Sequence, residues 1–279
     1  MEVVVAEHAG YCYGVERALK LAKETSVSCP KPIVTLGPII HNPQVVDWLK
    51  SLGIHPVDEI TKEKGTVIIR SHGIDPAEAR QFKDKGLTVV DATCPFVKKA
   101  QSCAKQLVEN GYDVIIVGER NHPEVIGIMA YAKQVAKVVE KAADLDKLPK
   151  KWKRLGVVVQ TTQSEANYRQ IVDKLSTKGV DIKVFNTICD ATSKRQRAAK
   201  DIAQATDLVL VVGGKNSANT TRLAKICAEI NPNTYHIETA VEVEKSWFTD
   251  IGKVGITAGA STSDWVLKDV IDLVKGMKA

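Results

Sequence analysis

The sequence predicts an α/β protein: three similar α/β units with mainly parallel sheets, arranged pseudo-threefold around a central cavity. Three observations carry this. Short apolar runs alternate with helical patterns along the whole chain, the signature of parallel strands covered by helices. Nearly every apolar run ends in a small polar cluster, and a helix follows. A cysteine stands at the carboxyl end of a strand three times, at Cys12, Cys94 and Cys189, with spacings of 82 and 95 residues.

In chain order, Val3–Val5 is the first strand and leads to Gly10-Tyr11-Cys12-Tyr13-Gly14-Val15. Beyond it, Val15, Ala18, Leu19 and Ala22 share one helical face. Ile33–Leu36 leads to Ile39-Ile40-His41-Asn42-Pro43, and Val67–Ile69 to Arg70-Ser71-His72-Gly73. Val89–Val90 opens the second cysteine segment, Asp91-Ala92-Thr93-Cys94-Pro95. In the helix after it, Phe96, Ala100, Cys103, Ala104 and Leu107 recur at core spacing. Val114–Val117 ends at Asn121-His122-Pro123-Glu124, and Val157–Val159 at Gln160-Thr161-Thr162-Gln163. Val184–Phe185 leads to Asn186-Thr187-Ile188-Cys189-Asp190. Leu208–Val212 runs into Gly213-Gly214-Lys215-Asn216-Ser217-Ala218-Asn219-Thr220, with Leu223, Cys227 and Ile230 on one face of the next helix. Val254–Ile256 is the last strand, before Gly259-Ala260-Ser261-Thr262-Ser263.

The cysteines also set a repeat. His41 follows Cys12 by 29 residues, His122 follows Cys94 by 28, and Ser217 follows Cys189 by 28. A looser third set, His72, Thr161 and Ser261, follows at 60, 67 and 72. The same order of elements three times over argues for duplication. We expect units at 14–94, 95–187 and 188–279, with residues 1–13 completing the third unit's sheet. In open parallel sheets, ligands collect beyond the carboxyl ends of the strands. Three such edges would bring the three thiols and the polar clusters around one cavity.

Composition narrows the function classes. Aromatic residues are 5% of the chain, too few for a base-stacking surface, and the +6 net charge is scattered among acids rather than gathered in a stripe. We expect no nucleic-acid partner. No apolar run reaches membrane-spanning length and no signal segment opens the chain, so we expect a cytoplasmic protein without membrane contact. A reducing compartment argues against three disulfides among the six cysteines. Cys103 and Cys227 read as core residues and Cys29 as a loop residue without a role, which leaves Cys12, Cys94 and Cys189.

Three convergent thiolates select zinc or iron–sulfur, although no Cys-x-x-Cys pair is present. Three unrelated buried cysteines are the competing account. Pro43 and Pro123 suit a first helical turn, so His41 and His122 sit near helix N-termini, where N–H groups and the dipole favour anions. The Gly213–Thr220 and Gly259–Ser263 stretches offer hydroxyls and backbone donors. The first lacks the glycine spacing of a Walker motif. With the histidines, the two stretches describe a diphosphate cradle. Glu124, with Thr161 at the next strand end, could relay protons beside a metal, against the alternative of a helix-start glutamate favoured only by the dipole.

Taken together and in order, these motifs resemble the 4-hydroxy-3-methylbut-2-enyl diphosphate reductase family (LytB/IspH), over essentially the whole chain. The resemblance implies reductive dehydroxylation of that diphosphate to isopentenyl and dimethylallyl diphosphate. It implies one 4Fe-4S cluster on Cys12, Cys94 and Cys189, with an open fourth iron that air exposure removes to leave 3Fe-4S. It implies substrate binding by His41, His72, His122, Ser217, Ala218, Asn219 and Ser261, and a proton-delivering Glu124 with Thr161 in its network. An external one-electron donor such as ferredoxin or flavodoxin is implied as partner. Two positions depart from the family pattern. Ala218 stands where many members have a second serine, which leaves a backbone contact there, and Ser263 replaces a proline before the final helix. A redox sensor would need the cysteines but not the facing histidines, hydroxyl loops and Glu124. A zinc hydrolase would be colourless.

Overall fold

The computed structural model describes residues 1–61, 64–148, 152–177 and 181–277. Among them the order is β1 (Glu2–Val5), α1 (Tyr13–Ser28), β2 (Ile33–Leu36), α2 (Pro43–Ser51), β3 (Ile54–Val57), β4 (Thr66–Ile69), α3 (Pro76–Asp84), β5 (Thr88–Asp91) and α4 (Pro95–Glu109). Then come β6 (Asp113–Val117), α5 (Pro123–Tyr131), β7 (Lys137–Val139), β8 (Arg154–Val159), α6 (Glu165–Ser176) and β9 (Asp181–Phe185). The chain continues through α7 (Asp190–Ala205), β10 (Leu208–Val212), α8 (Ala218–Ala228), β11 (Thr234–Ile237), β12 (Lys253–Ala258) and α9 (Asp264–Gly276).

The strands form three four-stranded sheets, β3-β2-β4-β5, β7-β6-β8-β9 and β11-β10-β12-β1. Every pairing is parallel. The α/β class and the parallel sheets therefore stand as the sequence predicts. Chain contacts divide the molecule into two compact units. One holds Met1–Glu16, Ile40–Asp47 and Asp190–Ala279, and the other Arg17–Ile39 and Trp48–Cys189. The first contains the β10 sheet, the second the other two. In the first unit β1 pairs with β12, taking the place that β5 has beside β4 and β9 beside β8.

Alternation along the central strands explains why both faces are covered. Leu208, Leu210 and Val212 of β10 pack with Val266, Val270 and Val274 of α9. Val209 and Val211 turn the other way, onto Ala199 and Ala203 of α7 and Leu223 and Cys227 of α8. In the second unit Val114 and Ile116 of β6 meet α4 and α5 through Ala104, Leu107 and Ile128. Ile115 and Val117 meet Ile171 and Leu175 of α6. Two expected core positions lie outside: Phe96 is 40% exposed and Ile230 36% exposed. On α4 the buried face starts at Val97 instead.

Each sheet has one strand that the apolar pattern does not announce. These are β3 (Ile-His-Pro-Val), β7 (Lys-Val-Val) and β11 (Thr-Tyr-His-Ile). All three are edge strands. One side of an edge strand pairs with no neighbour, which tolerates polar residues and even Pro56. No helix among the described residues is long and apolar enough to cross a membrane.

The turns after β10 and β12 are packed too closely for side chains. Gly213 has φ of +140°, and a Cβ there would lie 2.4 Å from Thr262 Oγ1 and 3.1 Å from Thr220 Oγ1. Thr262 is fully buried and its hydroxyl donates to the Val212 carbonyl at 2.8 Å, so it has little room to yield. Gly213→Ala should destabilise the protein by about 1–3 kcal/mol, the usual cost of a strained backbone residue, as read by urea unfolding. An unchanged unfolding midpoint would contradict this packing.

Candidate active site

All three helices that follow the singled-out cysteines begin at the very next residue. Tyr13 opens α1 after Cys12, Pro95 opens α4 after Cys94, and Asp190 opens α7 after Cys189. The backbone anchors each cysteine in the same way. Cys12 N–H donates to the Ala260 carbonyl at 3.2 Å, Cys94 N–H to Ser71 at 3.0 Å, and Cys189 N–H to Thr161 at 3.1 Å. These bonds leave the sulfur atoms to other uses, and all three residues are half-buried. Cys103 and Cys227 are buried, as core residues should be, and burial pushes the Cys227 thiol up to about 12. Cys29 is half-buried just beyond α1 and begins no helix. No disulfide joins any of the six.

In the first unit, the loop before α2 is tied to the loop after β12. Asn42 is 1% exposed; its Oδ1 accepts from Val45 N–H at 3.0 Å and its Nδ2 donates to the Ser261 carbonyl at 2.9 Å. Ser261 Oγ donates to the His41 carbonyl at 3.3 Å. A Cβ on Gly214 would lie 2.7 Å from that same carbonyl. Ser217 caps α8, accepting from Thr220 N–H, with Ala218 as the first helical residue. Asn219 is buried, and its Nδ2 has no hydrogen-bond partner among the described residues. Lys215, the cation of the Gly-Gly-Lys stretch, pairs on the surface with Glu242.

The second unit brings together four of the predicted residues as two pairs. The His72 and His122 rings stand edge-to-face with centroids 5.3 Å apart. His122 caps α5: its Nδ1 accepts from Glu124 N–H at 3.1 Å. An accepting Nδ1 on a neutral ring leaves the proton on Nε2, a donor suited to an anion. Glu124 is 1% exposed. Its Oε1 accepts from Thr161 N–H at 2.6 Å and its Oε2 from Thr161 Oγ1 at 2.8 Å. Burial, which disfavours the carboxylate, outweighs those two bonds and raises Glu124 from 4.5 to about 7.

The structure shifts one register. The residue equivalent to His122 and Ser217 is Asn42, since these three precede and cap their helices; His41 lies one position outside. In the later set, Ser71, Thr161 and Ala260 correspond through their bonds to the cysteines, so Ser261 matches His72 and Thr162 rather than Thr161. Asn42 was legible only through Pro43 after it, which marks the helix start.

The chain matches the family model described as LytB protein over residues 3–275. It is 48% identical to the 4-hydroxy-3-methylbut-2-enyl diphosphate reductase of Aquifex aeolicus, covering 97% of this chain and 94% of that one. It is 49% identical to the same-named protein of Geotalea uraniireducens, covering 99% and 97%. Among solved structures, that of an (E)-4-hydroxy-3-methyl-but-2-enyl diphosphate reductase, called the terminal enzyme of the non-mevalonate pathway, matches with a TM-score of 0.73 at 47% identity, covering 99% of each chain. The corresponding reductase from Plasmodium falciparum matches with a TM-score of 0.92 at 30% identity, covering 99% of this chain and 88% of that one. With its three parallel sheets and its cysteine-headed helices, this chain belongs to the LytB family.

Proposed function

We propose that this chain reduces 4-hydroxy-3-methylbut-2-enyl diphosphate, releasing its hydroxyl as water and forming isopentenyl and dimethylallyl diphosphate. The reaction consumes two electrons and two protons. The observation that carries this reading is the shared anchoring of the cysteines. Each N–H is held by a loop that bears a residue suited to substrate or proton: Ser71 with His72, Thr161, and Ala260 with Ser261. The relatives named above carry the same activity in their names. The reading includes a cytoplasmic setting, where thiols stay reduced, and three repeats bounded at 14–94, 95–187 and 188–279.

The donor set fits an iron–sulfur group. Cys12, Cys94 and Cys189 are half-buried thiols, each immediately before a helix whose N-terminus favours negative charge. They would hold a 4Fe-4S cluster, and three thiolates for four irons leave one iron without a protein ligand. When bound, such a cluster supplies electrons one at a time and a Lewis-acidic iron. The electrons would come from an external one-electron donor of the ferredoxin or flavodoxin kind.

The chain's own side chains do the rest. His41, His72, His122, Ser217, Asn219 and Ser261, with the backbone at Ala218, would bind the diphosphate. Asn219 Nδ2 is a buried donor without a partner among the described residues, and an anionic oxygen would satisfy it. Glu124 keeps a proton near neutral pH, where a general acid is most useful. When Glu124 is protonated, its contact with Thr161 can reverse: Oε2–H donates, and the threonine proton turns toward the leaving hydroxyl. Transfer along this pair would move one proton from Glu124 through Thr161 to the departing oxygen.

Anaerobically prepared Cys12→Ser should lose most of its iron while Cys103→Ser keeps it, and equal iron in both would sink the ligand assignment. His41→Ala should weaken diphosphate-substrate binding by roughly 1.5–3 kcal/mol, the usual range for a hydrogen bond to a charged group; titration calorimetry checks this, and unchanged affinity would remove His41 from the cradle. Glu124→Gln keeps shape but not the titratable proton. It should retain iron and substrate affinity and lose roughly 10²–10⁴-fold in turnover. Because the acid works only when protonated, parent turnover should fall as pH rises through about 7, and that limb should be absent from the glutamine variant. Near-normal turnover in the variant rejects the role.

A further inference from the structure

Two arginines reach from cysteine-headed helices to the loops that carry other cysteines. In the first unit Arg195 lies on α7, whose first residue follows Cys189. It is 4% exposed. Its Nη2 donates to the Gly10 carbonyl at 2.6 Å and its Nη1 to Ala191 of its own helix at 3.2 Å. Gly10 stands two residues before Cys12 and has φ of +96°, so this carbonyl fixes the course of the turn that delivers the cysteine. In the second unit Arg17 lies on α1, which begins after Cys12. Its Nη1 donates to the Thr93 carbonyl at 3.1 Å, one residue before Cys94.

A carbonyl needs only a donor, and a neutral amide can supply one at far smaller burial cost than a cation. What arginine adds is a planar fork and a charge that is not lost at any ordinary pH. We infer that Arg195 and Arg17 are positioning residues that hold the Cys12 and Cys94 loops and place fixed positive charge beside the iron–sulfur group, making it easier to reduce. This rests on the reading above, in which those cysteines ligate the cluster. The sign follows from Coulomb attraction: each added electron makes a thiolate-bound cluster more negative, so a nearby cation stabilises the reduced form. Arg195 is buried and should act more strongly than Arg17, whose charge is better screened by solvent.

The test is a potentiometric titration of anaerobically reconstituted full-length protein, followed by electron paramagnetic resonance, with iron and sulfide counted on the same samples. Arg195→Met should move the midpoint to more negative potential. At the potential that half-reduces the parent, its reduced-to-oxidised ratio should fall about tenfold. Arg17→Met should shift in the same direction by less, and Arg195→Lys should restore most of the change. Lys194→Met removes a cation from the same helix, but one that is exposed and paired with Asp190 at 2.8 Å; it should leave the midpoint unchanged. A cluster-bearing parent whose midpoint is matched by both methionine variants overturns the inference alone. If Arg195→Met fails to hold iron, Arg195→Lys decides: iron retained at the parent midpoint supports the inference. Iron lost there too, with Arg17→Met at the parent midpoint, overturns it. A parent that binds no iron–sulfur cluster at all sinks the ligand reading itself and takes this inference with it.

Discussion

A backbone hydrogen bond from each cysteine to the neighbouring strand's loop is the constraint on which the proposed site depends. The acceptor loops are themselves closed by one turn bond each: Gly73 N–H to Arg70, Gln163 to Gln160 and Thr262 to Gly259, at 3.0, 3.0 and 3.1 Å. They follow β4, β8 and β12, while the cysteines follow the adjacent edge strands β5, β9 and β1. Parallel pairing puts both loops at the same end of the sheet, so burial of the strands fixes the spacing of loop and cysteine at once. No side chain of the cysteine is spent on this, which is what a ligand position requires. The hydrophobic cores therefore do more than stabilise: they bring each thiol to one fixed height at the carboxyl edge.

The sequence made most of this legible because parallel central strands are apolar on both faces. Leu208–Val212 and Val114–Val117 read as uninterrupted runs, and the structure buries all of them. The apolar pattern breaks where a strand lies at the sheet edge. His55, Pro56, Lys137, Thr234 and His236 interrupt β3, β7 and β11, yet these strands pair in register with β2, β6 and β10. Pairing with a buried neighbour, and not their own composition, makes them strands. Phe96 shows the opposite error. It sits at helical spacing with Ala100 and Cys103, but the first turn of α4 opens to solvent before the core-facing stripe begins at Val97.

For the candidate site, residue type and order single out the loops that follow the strands, while the capping bonds set the register of the repeat within them. Counting from Cys12 selects His41, whereas the capping bonds select Asn42 as the counterpart of His122 and Ser217. The count slips because 30 residues separate Cys12 from its capping residue, Asn42, whereas 28 separate Cys94 from His122 and Cys189 from Ser217, and choosing the residue one position short exchanges the side chain that caps for one that stands outside. Lys215 teaches the same caution. A lysine after two glycines and before a helix looks made for phosphate, but Glu238 accepts from its N–H at 2.7 Å and Glu242 takes its ammonium. Neither acid is close in sequence, so no local pattern could have shown it.

Glu124 is the residue at which fold stability and proposed chemistry pull apart. In the unfolded chain it would hold its proton only to about 4.5, and in the folded protein to about 7. A group whose pKa is raised on folding contributes its full stability below the unfolded value and loses it as pH rises through the folded one. At neutral pH and above, the buried carboxylate thus costs the fold about 3 kcal/mol relative to acid conditions, at 1.36 kcal/mol per unit. The two bonds from Thr161 offset part of the burial cost but do not cancel it, since the net shift is upward. A glutamine would accept the Thr161 N–H through its Oε1 and carry no charge to desolvate. Local stability alone would therefore favour the amide. A position where the sequence departs from the locally stable choice is where function is to be sought, and at Glu124 the departure supplies the one property that an amide lacks: a proton held near neutrality, one hydroxyl away from the loop that anchors Cys189.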